Sequence, residues 1–169
     1  MPPETLAALY DAHAAAIYRF LLSLTASEPD TRDLLQDLFV KLARQSGPAP
    51  HDPQAYLFRA ARNGFIDLVR HSARRRDLLS RYQDERDPPQ IPASDPSASP
   101  DPTLAIAQAL SCLPEEQRAV VHLKIWENLT FARIAEILAI PANTAASRYR
   151  YAMDRLRQTL PNPASYHAP

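Results

Sequence analysis

Apolar residues recur along this chain at intervals of three and four, the period of an α-helix with one buried face, and the recurrence stops almost completely between residues 84 and 102. After Pro2 and Pro3, a first helix is predicted with Leu6, Leu9, Tyr10, His13, Ile17, Phe20, Leu21 and Leu24 on one broad face. Ser27 opens a second as the Ser-x-x-Asp variant of a capping box, with Leu34, Leu35, Leu38, Phe39 and Leu42 as its apolar side. Asp52 and Pro53 open a third, aspartate capping and proline at the first helical position, with Tyr56, Leu57, Ala60, Ala61, Phe65, Leu68 and Val69 inward. Further on, Thr130 caps a short helix bearing Phe131, Ile134, Ala135, Ile137 and Leu138, which Pro141 closes. Asn143 or Thr144 then caps a last helix with Ala145, Tyr149, Ala152, Leu156 and Leu160 in one stripe.

This pattern predicts an all-α chain. No run of alternating β-branched residues occurs, and only two glycines are present, Gly47 and Gly64. Seventeen prolines do not oppose it, because six crowd into DERDPPQIPASDPSASPDP, from Asp84 to Pro102, and many others sit near helix ends. That segment has too few apolar side chains to offset the entropy of ordering and reads as a flexible linker. The expected organisation is a helical domain over 1–83, a Pro-rich linker over 84–102, a helix-turn-helix domain over 103–161 and a disordered tail over 162–169.

Nineteen basic and nineteen acidic side chains give zero formal charge, which by itself argues against a nucleic-acid partner. The distribution reverses that argument. Residues 57–81 carry seven basic and two acidic groups, whereas 1–56 carry four and seven, and 82–103 one and five. The excess charge therefore lies on the third helix, where Arg59, Arg62, Asn63, Asp67 and Arg70 recur at three and four, followed by His71 and Arg74, Arg75 and Arg76. Cations spaced along a helix, with Asn among them and Tyr56 nearby, suit a nucleic-acid strand that offers phosphates and stackable bases. A merely solvated, internally paired arginine face fits the same residues. The last two helices read as a DNA-binding helix-turn-helix, with Ser147, Arg150, Tyr151 and Asp154 facing away from the core and Arg148, Arg155 and Arg157 flanking.

Other chemistry is missing. No Gly-rich phosphate loop, His-Glu-x-x-His pattern, nucleophile elbow or clustered metal ligands occur, so no enzyme activity, metal or cofactor is expected. The neighbouring carboxylates Asp33 and Asp37 have no cationic partner in the pattern and, with Gln36, read as a protein-docking face rather than an acid-base pair. His13 is expected to pack rather than ligate. Cys112, the single cysteine, permits no intrachain disulfide and is expected to pack near a helix end. With no signal peptide and no apolar run near the roughly 20 residues of a membrane span, a cytoplasmic location is expected, without membrane insertion or a small-molecule substrate.

In order, the acidic helix DLLQDLFVKLAR, the segment PQAYLFRAARNGFIDLVRHSARRR, a Pro-rich linker, ALSCLPEEQRAVVHLKIWENLTFARIAEIL and NTAASRYRYAMDRLR resemble the extracytoplasmic-function branch of bacterial RNA polymerase sigma factors. The resemblance covers most of the chain. It implies that Asp33, Leu35, Gln36, Asp37 and Phe39 dock on core RNA polymerase. It implies further that His51, Asp52 and Tyr56 line a pocket for a flipped base of the minus-ten element, while Arg62, Asn63, Arg70, Arg74, Arg75 and Arg76 track the strand. In the second domain it directs Thr144, Ser147, Arg150 and Tyr151 to base edges of the minus-thirty-five element and Arg133, Arg148 and Arg155 to its phosphates, with Asn143 also at that DNA. Core RNA polymerase and promoter DNA are the implied partners, and an anti-sigma factor is compatible with them. The pattern departs from relatives at Asn143, Thr144, Ala145 and Ala146, where Gly-Thr-Val and a basic residue are usual. It also departs at Ala132 and Arg133, in place of a commonly acidic pair, and at Tyr56, where many carry Trp. Two other functions fit parts of the chain: a stand-alone helix-turn-helix regulator, and a helical protein-binding adaptor that has lost DNA contact.

Overall fold

The computed structural model describes residues 3–45, 50–82 and 102–160, the side chains of 3, 76–82, 102–105 and 107 excepted. Among these residues seven α-helices and no strands are found: α1 (Pro3–Thr25), α2 (Glu28–Arg44), α3 (Pro53–Tyr82), α4 (Pro102–Ser111), α5 (Glu115–Ile125), α6 (Phe131–Leu138) and α7 (Ala142–Thr159). The all-α expectation holds. The expected linker and tail lie outside the described residues.

Local chemistry sets several of the boundaries. Ala26, at φ 51°, turns the chain sharply after α1. Ser27 then caps α2, its hydroxyl accepting from the Asp30 amide at 3.4 Å. Beside it, Thr31 is wholly buried, donating to the Ser27 carbonyl and sharing a 2.8 Å hydrogen bond with Thr25, so this buried hydroxyl is satisfied. Asp52 caps α3 through a bond from the Ala55 amide at 3.1 Å, with Pro53 at the first helical position. Thr130 caps α6, accepting from the Arg133 amide. The break before α7 departs from the sequence expectation. Ala139, at φ 53°, ends α6 in the left-handed region, and Pro141, not Asn143 or Thr144, takes the N-cap of α7, so both polar residues lie in its first turn.

The helices on either side of the 84–102 segment pack against one another, α1 on α5 and α3 on α6. One continuous apolar core contains Ile17, Phe20, Leu21 and Leu24 of α1, Leu57, Phe58 and Ala61 of α3, Val120 and Leu123 of α5, Ile134 and Ile137 of α6, and Ala145 of α7. Phe20 is its pivot: its ring meets Phe58 edge-on at 5.3 Å and His122 at 5.4 Å. Truncating such an aromatic costs about 3–5 kcal/mol. A smaller cluster of Ala109, Leu113, Val121, Ala152 and Leu156 fastens α4 and α5 to α7. Between α2 and α3 the helices approach closely, since a Cβ on Gly64 would lie 3.4 Å from the Leu34 side chain.

Three expected packing roles differ. Val69 is exposed and Phe58 takes the inward place, because α3 packs against three neighbours, α1, α2 and α6, which shifts its buried stripe. Tyr10 is exposed too. Cys112 follows the end of α4 but is exposed rather than packed.

Candidate nucleic-acid interface

The acidic helix α2 presents Asp33, Gln36 and Asp37 to solvent, holds Leu35 half-buried and buries Phe39. These residues do not form one surface. Leu35, Gln36 and Phe39 line a mainly apolar groove of about 500 Å³ with Leu6, Tyr10, Arg32, Val40 and Ala43. Tyr10 meets Phe39 edge-on at 4.9 Å. Asp37 faces a second groove of about 410 Å³ between α2 and α3, together with Lys41, Tyr56, Gly64, Asp67 and His71. The sequence missed Leu6, Tyr10 and Val40 as parts of the first groove. The apolar excess of α1 was available as a signal, but only the α1–α2 packing shows which of its residues stay uncovered.

On α3 the expected strand-tracking residues divide by face. Asn63, Arg70, Arg74 and Arg75 are exposed, as is His51 before the helix, while the Arg76 side chain lies outside the described residues. Arg70 is 3.9 Å from Asp67, a solvent-screened pair of little energetic weight. Tyr56 is half-buried and its hydroxyl accepts from the Gln45 side chain at 2.7 Å. Arg62, by contrast, turns into the protein, its Nε 3.5 Å from a Glu115 carboxylate oxygen. Asp52 is ion-paired with Arg133 of α6, which also donates to Glu136 at 2.9 Å.

The helix-turn-helix is formed by α6 and α7 as expected. Asn143, Arg150, Tyr151 and Arg155 are exposed on α7, and the Arg150 guanidinium lies over the Tyr151 ring at 5.3 Å. Thr144 and Ser147 are half-buried, the Ser147 hydroxyl donating to the Thr144 carbonyl. Arg148 is drawn back to Glu116 of α5 at 2.5 Å. Ala145 is fully buried, so the residue that replaces the family's usual Val packs rather than reads.

The most polar part of the interior was not seen in the sequence. Arg118 donates to the carbonyls of Ser23 and Leu24 at the end of α1 and to those of Ser111 and Leu113. Burial lowers its pKa from the ordinary arginine value, an effect Glu115 partly offsets. His122 is buried between Phe20 and a stacked Trp126, 5.2 Å away, with Glu127 at 3.9 Å and Glu127 in turn 3.8 Å from Arg19. Burial, helped by the Arg19 charge, pushes the His122 pKa down to about 4. Among the described residues no helix is long and apolar enough to cross a membrane, and no group of three or more acidic, His or Cys side chains is placed to hold a metal.

Residues 9–75 match the Sigma-70 region 2 family and residues 109–158 match Sigma-70 region 4. The chain is 35% identical over 156 residues to the ECF RNA polymerase sigma factor SigL of Mycobacterium tuberculosis, covering 90% of this chain and 87% of that protein. It is 31% identical over 155 residues to SigE of Mycolicibacterium smegmatis, covering 88% of this chain and 58% of that one. A solved structure of the sigma factor RpoE with the anti-sigma factor NepR from Bartonella quintana superposes with a TM-score of 0.69 at 26% identity, over 89% of this chain and 92% of that one. CnrH, solved with the cytosolic domain of CnrY, shares the fold, with a TM-score of 0.62 at 22% identity over 93% and 88% of the two chains. With two sigma regions in order and a relative matched nearly end to end, this chain belongs to the extracytoplasmic-function sigma factors of bacterial RNA polymerase.

Proposed function

We propose that this sigma factor divides its work among three surfaces: the α1–α2 groove docks on core polymerase, the exposed row of α3 holds a melted minus-ten strand, and α7 reads the minus-thirty-five duplex. The observation that carries the reading is the exposed Arg150–Tyr151 pair on the outward face of a helix-turn-helix, with Asn143 and Arg155 exposed on the same helix. Arginine held over an aromatic ring is pre-organised for a bidentate base contact, and its neighbours supply polar and cationic contacts to the groove. On α3, Asn63, Arg70, Arg74 and Arg75 offer a strand cations and one amide, with no carboxylate among those four. The groove supplies what a docking helix needs, an apolar floor with Gln36 and Arg32 at the rim.

The division into 1–83, 84–102 and 103–161, with a tail at 162–169, is part of the same proposal. It is supported by the gap between the two family matches, which brackets the Pro-rich segment. An anti-sigma factor is a further partner in this reading, since the Bartonella quintana neighbour was solved bound to one. The polymerase, not this chain, supplies the nucleotidyl chemistry. Run-off transcription with core polymerase on a genomic promoter library tests the whole: promoter-dependent transcripts that vanish without the chain are expected. DNA binding by the chain with no capture of core polymerase would instead identify a stand-alone regulator.

A further inference from the structure

A cavity of about 360 Å³ opens where α1, the end of α4 and α5 meet, and none of the residues assigned above to polymerase or promoter lines it. It draws on both sigma regions. Arg19 and Leu22 fall within the region 2 match, and Leu110, Arg118, His122 and Trp126 within the region 4 match. Leu22, Leu110 and Trp126 give it an apolar wall. Trp126 stacks on His122, yet the described residues leave it 46% exposed, and Leu22 is exposed as well. A concave apolar wall of this size, with a few convergent polar groups, is the usual form of a small-molecule site.

The polar lining is cationic. Arg19 and Arg118 line the cavity, and among the described residues no acidic side chain does. Arg19 is exposed and meets Glu127 only at 3.8 Å, a loose pair that a second anion can displace. Arg118 spends its terminal nitrogens on the carbonyls of Ser23, Leu24, Ser111 and Leu113, which leaves its Nε buried with no hydrogen-bond partner. His122 is only 4% exposed, and its Nε2 is buried without a partner too, since Glu127 at 3.9 Å is beyond hydrogen-bond reach. Buried nitrogens of this kind are costly unless a group from outside the chain completes the bond.

We propose that this cavity binds a small amphipathic carboxylate, its aromatic or aliphatic body against Trp126, Leu22 and Leu110 and its anionic head held by Arg19 and Arg118. The apolar wall supplies affinity. Two arginines with no lining carboxylate select an anion over a neutral or cationic molecule of the same shape. The selection is local, because the chain as a whole has zero formal charge and no bulk attraction for anions. The site goes beyond the sigma reading and uses none of its DNA or polymerase contacts. A ligand there touches residues of both regions, so its binding adds to the contact between α1 and α5 by mass action.

Trp126 is the single tryptophan of the chain, so its fluorescence reports this cavity, while a probe in the α1–α2 groove meets no tryptophan. The full-length protein is titrated with phenylbutyrate, phenylbutanol and phenylbutylamine, which share a ring and tail and differ in the charge of the head group. Phenylbutyrate should change the Trp126 emission saturably and bind about tenfold more tightly than either analogue. Arg19→Gln should remove most of that preference and leave phenylbutanol binding within about twofold, whereas Arg19→Lys should keep the preference. Leu22→Glu, at an exposed position of α1, should weaken phenylbutyrate about tenfold. Equal affinities for the three probes, an unchanged preference in Arg19→Gln, or no tryptophan response at all would overturn the proposal. Failure of the chain to support transcription with core polymerase would count against the sigma reading alone, because probe binding is measured on the free chain.

Discussion

The α1–α2 groove and the arginine-bearing surfaces of α3, α6 and α7 are built from the same kind of amphipathic helix, yet one stands open and the other is partly folded in on itself. Around the groove, Tyr10 and Val40 are large apolar side chains left exposed by the described residues. At the seam where α5 and α6 pack on α3, Arg62 and Arg133 are engaged by carboxylates from the other half, while Arg148 is engaged by Glu116 within its own half. The first is accessible as it stands, whereas Arg62 and the Asp52 side of Arg133 are covered by partners from the other half, so exposure from one helix does not decide which side chains a partner can reach.

The groove is the more sensitive of the two surfaces. Val40→Asp places a charge on its apolar floor and should weaken binding to core polymerase about a hundredfold, close to 3 kcal/mol, with the thermal midpoint of the free chain unchanged. Unaltered holoenzyme assembly on a sizing column would remove this face from the docking surface.

A comparable effect is expected at the seam through pH. His122 has its pKa lowered from 6.5 to about 4, so the opened or unfolded chain takes up the extra proton. Its contribution is fully present above pH 6.5 and is lost as the pH falls toward 4, by up to about 3 kcal/mol. The charged neighbours that face it are Arg19 from α1, which opposes protonation, and Glu127 beyond α5, which favours it. Urea titrations of the protein and of His122→Phe at pH 7 and pH 5 should show the native chain losing more stability across that interval. Parallel losses would place His122 outside the pH response.

Within α7 two neighbouring arginines differ in the same way. Exposed Arg150, replaced by Ala, should lose about 1–3 kcal/mol of discrimination at a single promoter position, while Arg148→Ala should weaken all promoter variants alike. The smallest effect is a gain. Ala139→Gly relieves a left-handed residue at the end of α6 and should stabilise the chain by about 1 kcal/mol. If the shared core couples the halves, the whole calorimetric transition shifts upward; a split transition would mean that they unfold separately.

Much of this protein was legible because its information is local. The caps at Ser27, Asp52 and Thr130 follow from one side chain and the amides three residues on, and the helix-turn-helix follows from apolar spacing within thirty residues. The break at Ala139 and Pro141 was misplaced by a few residues, since a left-handed alanine leaves no compositional mark where glycine would. Exposed Asn63, Arg70 and Arg150 were also readable, as polar positions on otherwise apolar helices.

Sequence alone settled the all-α class, the order of five of the seven described helices, with α4 and α5 unread, and, through the spacing of charges, which of the five carry cations. Tertiary structure alone decided which of those cations are engaged. Whether Arg62 or Arg148 meets solvent or a carboxylate depends on Glu115 and Glu116, fifty-three and thirty-two positions away, and such partners are chosen by how helices dock. Helical periodicity states that a residue faces outward from its own helix. It does not state whether water or another helix is waiting there, because that is fixed by the long-range burial of Phe20, Phe58 and Leu123 in one common core.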